Sequence, residues 1–399
     1  MKCYTLAKKI VTTLHNAGFT AYFAGGWVRD HLLAKDADDI DIATTATPDE
    51  IMGLFPKTIP VGINFSILIV VEDGVHFEVA TFREDDLYHD GRRPSKITHA
   101  TAIEDAKRRD FTINGMFFDP LTDTLYDYVH GKKDLENGII RAIGDPHQRF
   151  KEDRLRMIRA CRYSARFSFT IEENTKNAIL IHAKELFPAV AIERVYDEFK
   201  KMTKDPHLFD ALILMHEFGL LSVIFKELTF LPITELKKRI ANTKEFPLET
   251  YPTIYLYQLF KDLSLKEKIA ICKYFKVSNS EIKFTEELEK WKNWDKLSDF
   301  ELANLYAHPL CKKFETIACI YSEDKNCKIF HKNKQEYLRF HIDCIKNNSP
   351  IVTSQDLINI GIAKGKELGI KLKLAEQIAV NKNLLSKEEI IALLQSENY

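Results

Sequence analysis

Gly25-Gly26-Trp27-Val28-Arg29-Asp30, followed by Asp39-Ile40-Asp41, is the stretch on which the reading of this chain turns. Ala21 to Ala24 is a short apolar run that predicts a strand, and Trp27 to Leu33 carries a helical pattern, so the two glycines stand at a strand-to-helix turn. There they let backbone amides come close to a bound phosphate, the helix N-terminus adds positive potential, and Arg29 adds a fixed cationic fork. Ile40 to Thr44 predicts a second strand. Asp39 and Asp41 then project from one face of it and together suit hard divalent cations such as Mg²⁺. Each feature alone also suits a plain turn or a solvated strand end; their combination points to phosphate and metal chemistry.

Working outward, Thr47-Pro48-Asp49-Glu50 predicts a capped helix start, with Pro at its first position. Ser66 to Val71, Glu72-Asp73-Gly74 and His76 to Phe82 predict a hairpin. From Asp145 onward apolar residues recur at three and four, as in Leu155, Ile158 and Cys161, and everything beyond about 146 reads as helical. The expected class is α+β: a small mixed sheet with helices over residues 1–145, followed by all-α regions.

Composition bounds the function. The 399 residues predict two to four domains. Lys+Arg 57 against Asp+Glu 58 gives a net charge of -1, so bulk charge does not bind nucleic acid and any such contact needs a local patch. The seven cysteines contain no Cys-x-x-Cys pair, which indicates neither a disulfide framework nor a zinc site and fits a reducing compartment. No apolar run is long enough to span a bilayer, and the first residues lack a signal-peptide core, so a cytoplasmic protein without membrane contact is expected.

Two further blocks carry charge in a chemically useful pattern. Lys107-Arg108-Arg109-Asp110-Phe111-Thr112-Ile113-Asn114 packs three cations against a segment that turns apolar. In Glu152-Asp153-Arg154-Leu155-Arg156-Met157-Ile158-Arg159-Ala160-Cys161-Arg162, a helix would set Asp153 and Arg156 side by side at i, i+3. The plain reading is an intrahelical salt bridge. The chemical one is base selection: a carboxylate accepts from an exocyclic amino group and a guanidinium donates to an unprotonated ring nitrogen, a pattern that cytosine and adenine share. Guanine and uracil reverse both contacts, and one good bidentate contact discriminates by roughly 1 to 3 kcal/mol.

With these blocks in order, GGWVRD…DDIDIAT, KRRDFTINGM and KEDRLRMIRACRY, the chain resembles the class II tRNA nucleotidyltransferases, or CCA-adding enzymes, and the related bacterial poly(A) polymerases. Asp127, Gly131 and Arg141 are similar to the family's flexible motif, and Ala191-Ile192-Glu193-Arg194 to the motif ending its neck. Tyr88-His89-Asp90-Gly91-Arg92-Arg93-Pro94 is similar to the flexible loop, and Asp356-Leu357 with Gly361, Gly365 and Gly369 to the tail. The resemblance implies a nucleotidyltransferase palm or head (1–145), a helical neck (146–205), body (206–330) and tail (331–399). It implies transfer of CMP and AMP from CTP and ATP to a tRNA 3′ end with two Mg²⁺ ions.

By the same resemblance, Gly26 and Arg29 contact phosphates, Asp39 and Asp41 are the catalytic metal ligands, and Arg109 holds the nucleotide. Asp153 and Arg156 read the base, while Arg159 and Arg162 support base or phosphates. Arg162 rests on resemblance alone, because nine residues along an ideal helix put it nearly opposite Asp153. Glu78 reads as a structural carboxylate on a strand beside the aspartates. Two departures are Gly115, where the family usually has Ala, and Phe65-Ser66-Ile67, where many relatives carry Gly-Thr. The motifs are shared with A-adding and polyadenylating members. An ending in SKEEIIALLQSENY, without a basic extension, favours a tRNA end-builder over a poly(A) polymerase, and the loop at Asp90 to Pro94 argues against a CC-only member, with an A-adding member of a split pair left open. A metal-dependent phosphohydrolase built on His89-Asp90 is the reading from another class.

Overall fold

In the computed structural model, residues 2–37, 39–62, 67–85, 97–204, 207–322 and 324–396 are described. Two local features expected from the sequence, a helix cap and a hairpin turn, are present. Thr47 Oγ1 accepts from the Glu50 amide while the Thr47 amide donates to Glu50 Oε2 at 2.7 Å, the reciprocal cap that starts a helix at Pro48. Asp73 and Gly74 both take positive φ, 47° and 78°, which is the two-residue turn that matches strand twist in a hairpin.

The chain forms two compact units, Met1–Lys238 and Arg239–Tyr399. The first begins with α1 (Lys2–Asn16), β1 (Ala21–Ala24), α2 (Gly26–Leu32), β2 (Asp41–Thr44), α3 (Pro48–Leu54), β3 (Thr58–Gly62), β4 (Ile67–Glu72) and β5 (Val75–Thr81). It continues with β6 (Arg83–Asp85), β7 (Ile97–His99), α4 (Ala102–Arg108), β8 (Met116–Asp119), β9 (Thr124–Asp127), α5 (Gly131–Glu136) and β10 (Ile139–Ile140). Seven strands form one sheet in the order β3-β4-β5-β2-β1-β8-β9. Within it β2 and β5 run parallel and the remaining neighbours antiparallel. The register pairs Ala24 with Asp41 and Ile42 with Val79, so the Gly25-Gly26 turn, Asp41 and Glu78 come together at one end of three adjacent strands.

Beyond the sheet lie α6 (Pro146–Glu152), α7 (Leu155–Phe167), β11 (Thr170–Ile171), α8 (Glu173–His182), α9 (Leu186–Ala189), α10 (Ile192–Met202), α11 (Leu208–Glu217) and α12 (Leu220–Ile224). The expectation of helix throughout is corrected by β11. Ser168 ends α7 in the left-handed conformation, and the β-branched pair Thr170-Ile171 then runs parallel to Ile139-Ile140.

Asp127, Gly131 and Arg141 acquire a mechanical meaning. Asp127 Oδ1 accepts from the Gly131 amide at 2.8 Å and Oδ2 from the Lys132 amide at 3.0 Å, while Arg141 pairs with Asp134 and Glu172. A Cβ on Gly131 would stand 2.2 Å from the Thr112 carbonyl oxygen. At Gly115 the space a methyl would need is filled by Val129 and Ile143, at 2.7 and 3.0 Å from such an atom, so neighbouring side chains compensate for the missing Ala. The Phe65-Ser66 part of the other departure, and the start of the expected 66–71 strand, lie outside the described residues. So does the whole Tyr88–Pro94 loop with His89-Asp90.

After α13 (Ile233–Ile240), the second unit is built from α14 (Pro252–Leu256), α15 (Leu265–Tyr274), α16 (Asn279–Lys290), α17 (Asp299–Ala307), α18 (Cys311–Ser322) and α19 (Cys327–Tyr337). It ends with α20 (Arg339–Lys346), α21 (Ser354–Asn359), α22 (Lys366–Asn381) and α23 (Lys387–Ser396). Leu357, Ala375, Ile378, Ile390 and Leu394 give α21 to α23 a hydrophobic cluster of their own. One expectation fails here. Cys319 and Cys327 are joined by a disulfide, because the turn from α18 to α19 brings their Cα atoms to 5.5 Å despite eight residues of separation. No helix among the described residues is long and apolar enough to cross a membrane.

The close contact at Gly131 yields a test of the fold. Gly131→Ala should destabilise the protein by about 1–3 kcal/mol through overpacking against a backbone carbonyl, measured by urea unfolding. A midpoint equal to that of the parent chain refutes the contact.

Candidate functional site

The first unit holds an open cavity of about 790 Å³, and all nine expected site residues, Gly26, Arg29, Asp39, Asp41, Arg109, Asp153, Arg156, Arg159 and Arg162, line it. Its floor is the strand end described above. Gly25 takes φ 66° and ψ -124°, and a Cβ there would meet Arg109 Nη1 at 3.1 Å and Asp41 Oδ2 at 3.9 Å. The glycine is therefore needed for both backbone conformation and close approach.

The carboxylates are placed somewhat differently from expectation. β2 begins at Asp41, and Asp39 lies in the exposed lead-in to it, so the two aspartates do not share a regular strand face. They still interact. Burial, then Glu78 and Asp39, push the Asp41 carboxyl up to about 7, with Arg109 acting in the opposite direction. Glu78 is raised as well, by desolvation and by Asp39, against the pull of Arg83. It lines the cavity as a third carboxylate instead of serving packing alone. Three acids crowded with little compensating positive charge, all with oxygen donors, fit a hard divalent cation.

The opposite wall is cationic, and each arginine in it is held by a buried partner. Arg29 donates from Nε to Asp30 Oδ1 at 2.8 Å and from Nη1 to Asn114 Oδ1 at 2.6 Å, with its guanidinium 4.6 Å above the Phe167 ring. Arg109 pairs with Asp105 at 3.0 Å, and its guanidinium lies 4.9 Å above the Phe117 ring. Along α7, Arg156 pairs with Glu152 at 2.8 Å, Arg159 with Asp110 at 2.6 Å and Arg162 with Glu198 at 2.6 Å. Burial alone would raise Asp110, but Arg159 and the Asn114 amide outweigh it and hold its carboxyl below the usual range. Tyr163 sits among these cations. Burial raises its phenol, yet Arg159, Arg162 and Arg29 bring it down to about 8.

The base-reading pair needs correction in its geometry. The chain breaks between α6 and α7, and Asp153 takes φ -148° and ψ 103°, so it precedes the helix and does not stand at i, i+3 on it. Its carboxylate is gripped by Arg194, Nη1 to Oδ1 at 3.1 Å and Nη2 to Oδ2 at 2.7 Å, and also caps the Leu155 amide. Arg156 Nη1 donates instead to Glu152 and to the Arg149 carbonyl, and its Nη2 to the Arg108 carbonyl. Since Asp153 is not on the helix, the reckoning that set Arg162 opposite to it does not apply. Arg156, Arg159, Arg162 and Arg166 follow at intervals of three and four on α7, and all reach the cavity.

Sequence reasoning missed Glu152, Asp110 and Glu198 as partners, Asn114 as the clamp on Arg29, and Arg194 as the clamp on Asp153. For Glu198 a signal exists. Val195, Phe199 and Met202 mark the buried face of α10, and a lone acid on that face calls for a cation.

Comparison with known proteins identifies the family. Residues 21–141 match a family model described as the poly A polymerase head domain, and residues 168–231 one described as a probable RNA and SrmB-binding site of polymerase A. The chain is 44% identical over 212 residues to the CCA-adding enzyme of Geobacillus sp. (strain WCH70), an alignment covering 53% of this chain and 52% of that one. That match thus spans about half the length of the relative. With the CCA-adding enzyme of Pediococcus pentosaceus the identity is 33% over 398 residues, 98% of this chain and 97% of the other. Among solved structures, the Bacillus stearothermophilus CCA-adding enzyme in complex with CTP superposes with a TM-score of 0.79 at 26% identity, over 100% of this chain and 98% of that one. A cavity that sets three carboxylates against a wall of tethered arginines, on a chain aligned almost end to end with such a relative, belongs to a member of the CCA-adding enzyme family of tRNA nucleotidyltransferases.

Proposed function

We propose that this protein, in the cytoplasm, transfers CMP and AMP from CTP and ATP to the 3′ end of tRNA and so builds or repairs the CCA terminus without a nucleic-acid template. The observation that carries this is one cavity lined together by the carboxylates, the tethered arginines, Asp153 and Arg156. The likeness to a protein solved with CTP supports it. Along the chain, the head (1–145) supplies the carboxylates and the neck (146–205) the base-reading side chains. The body (206–330) and tail (331–399) are helical and follow the neck.

Asp39 and Asp41, with Glu78 beside them, would hold Mg²⁺. Held there, such an ion would supply acidification of the attacking hydroxyl and charge compensation for the departing pyrophosphate. The chain's own residues position the nucleotide. The Gly25-Gly26 turn lets phosphate oxygens approach the backbone, and Arg29 and Arg109, already fixed by Asp30, Asn114 and Asp105, meet them without reorganising. Arg159 and Arg162 extend the same cationic wall.

Donor and acceptor counting supports the reading of bases. Among the described residues, Asp153 Oδ1 accepts from Arg194 and from the Leu155 amide, whereas Oδ2 accepts from Arg194, so that a lone pair there can take an exocyclic amino group. Among the same residues Arg156 makes two Nη1 contacts and one at Nη2, so its Nε–H and a second Nη2–H can donate to a ring nitrogen. That set accepts cytosine and adenine and rejects uracil and guanine.

The function is tested by extending tRNA transcripts that end before CCA, after C or after CC, resolved to single nucleotides. Growth by C, C and A with a clean stop is expected. Addition of A to the CC-ended transcript alone, or an unbounded A ladder, overturns the reading in favour of an A-adding enzyme or a poly(A) polymerase. Asp41→Ala should cut turnover by at least about a hundredfold while tRNA binding in a filter assay persists; turnover near the parent value removes Asp41 from the metal site. Arg194→Ala, by freeing the Asp153 carboxylate, should lower the kcat/KM preference for CTP over UTP by about 5- to 150-fold, and an unchanged preference contradicts the clamp.

A further inference from the structure

The second unit contains a group of side chains that nucleotidyl transfer does not use. Cys319 lies in the last turn of α18, and Cys327 opens α19 with His331 four residues on, so Cys327 and His331 share a helix face. The two Sγ atoms and a ring nitrogen of His331 all lie within 4.8 Å of one another. Cys327 and His331 are 0% exposed and Cys319 is 7% exposed. Trp294 and Phe330 close the group from the side, with the Trp294 and Trp291 rings 5.2 and 5.5 Å from the imidazole.

The histidine is the telling member. Its Nδ1 is 2.7 Å from the Tyr306 hydroxyl, which fixes one nitrogen, while Nε2 is buried with no hydrogen-bond partner among the described residues. A buried polar atom left unsatisfied asks for an explanation. An imidazole held through one nitrogen by a hydroxyl, keeping a second nitrogen unpartnered and lying within ligating reach of two sulfurs, has the hydrogen-bonding of a metal-ligating histidine with its outer hydrogen bond in place.

We propose that, with both thiols reduced, Cys319, Cys327 and His331 bind a thiophilic d¹⁰ cation, Zn²⁺ or Cu⁺. Two sulfurs and one imidazole are soft donors that favour these ions over Mg²⁺ or Ca²⁺. Binding releases the two thiol protons, and both sulfurs become ligands. Joining the two sulfurs to each other removes both ligands, so the disulfide and the metal exclude one another. In a reducing compartment the pair stands as dithiol and the site is available.

The test uses the full chain, reduced and freed of metal, titrated with Co²⁺ as a spectroscopic probe and then with Zn²⁺, or with Cu⁺ delivered from a chelator. The reduced parent chain should develop thiolate-to-cobalt charge-transfer absorption saturating at one equivalent, displaced by Zn²⁺ or Cu⁺. Cys327→Ser should lose that absorption. As a control free of substitutions, the parent chain oxidised by glutathione disulfide, which is itself reduced to two thiols, should lose it and regain it on reduction. Tyr306→Phe should retain the absorption but bind about 10- to 100-fold more weakly. No charge-transfer absorption in the reduced parent chain overturns the proposal, as does absorption that persists unchanged in Cys327→Ser or in the oxidised chain. The carboxylate cavity cannot mimic the positive result, because it contains no sulfur ligand.

Discussion

The tethering of arginines by buried acids is the interaction on which the rest of the cavity depends. Arg29, Arg109, Arg156, Arg159 and Arg162 converge on one space, where like charges repel. Each is anchored away from the others by Asp30, Asp105, Glu152, Asp110 or Glu198. A buried charge stripped of its partner costs on the order of 3–5 kcal/mol, so these acids are as much part of the cationic wall as the guanidiniums are. The result is a field that is in place before any nucleotide arrives.

The same anchoring ties the sheet to the helices that follow it. Asp110 comes just after α4 and holds Arg159 on α7; Asn114, which donates to Asp110, clamps Arg29 on α2. Glu198 on α10 holds Arg162, and Arg194 on the same helix holds Asp153. A shift of α10 would therefore move the Arg162 guanidinium and the Asp153 carboxylate together, so two cavity-lining groups of opposite charge are mechanically linked through one helix.

Much of this was legible in the sequence, and the limits have physical causes. The Gly-Gly turn, the Thr47 cap and the Asp73-Gly74 hairpin are local, so a few neighbouring residues determine them. The clamps are not local. Arg194 is 41 residues from Asp153 and Glu198 is 36 from Arg162, distances that only the packing of α7 on α10 closes. The break at Asp153 was hidden because an unbroken helical pattern runs through Leu155 and Ile158, although an Asp two residues ahead of Leu155 is the usual acceptor for a free amide at a helix start. Separate cysteines eight residues apart likewise gave no sign of meeting, since it is the helix-to-helix turn that joins them.

The two units present cations with opposite chemistries. In the first, Asp39, Asp41 and Glu78 offer only oxygen, and the proton on Asp41, whose carboxyl is pushed up to about 7 by burial and then by its acidic neighbours, competes with any weakly bound ion. In the second, two sulfurs and an imidazole lie behind tryptophan rings. Hard oxygen donors suit the abundant, strongly hydrated Mg²⁺, while thiolates gain most from an ion that sheds its water readily and bonds covalently. Ligand softness thus sorts the two kinds of ion, so occupation of the sulfur site does not depend on the ion that serves the nucleotide.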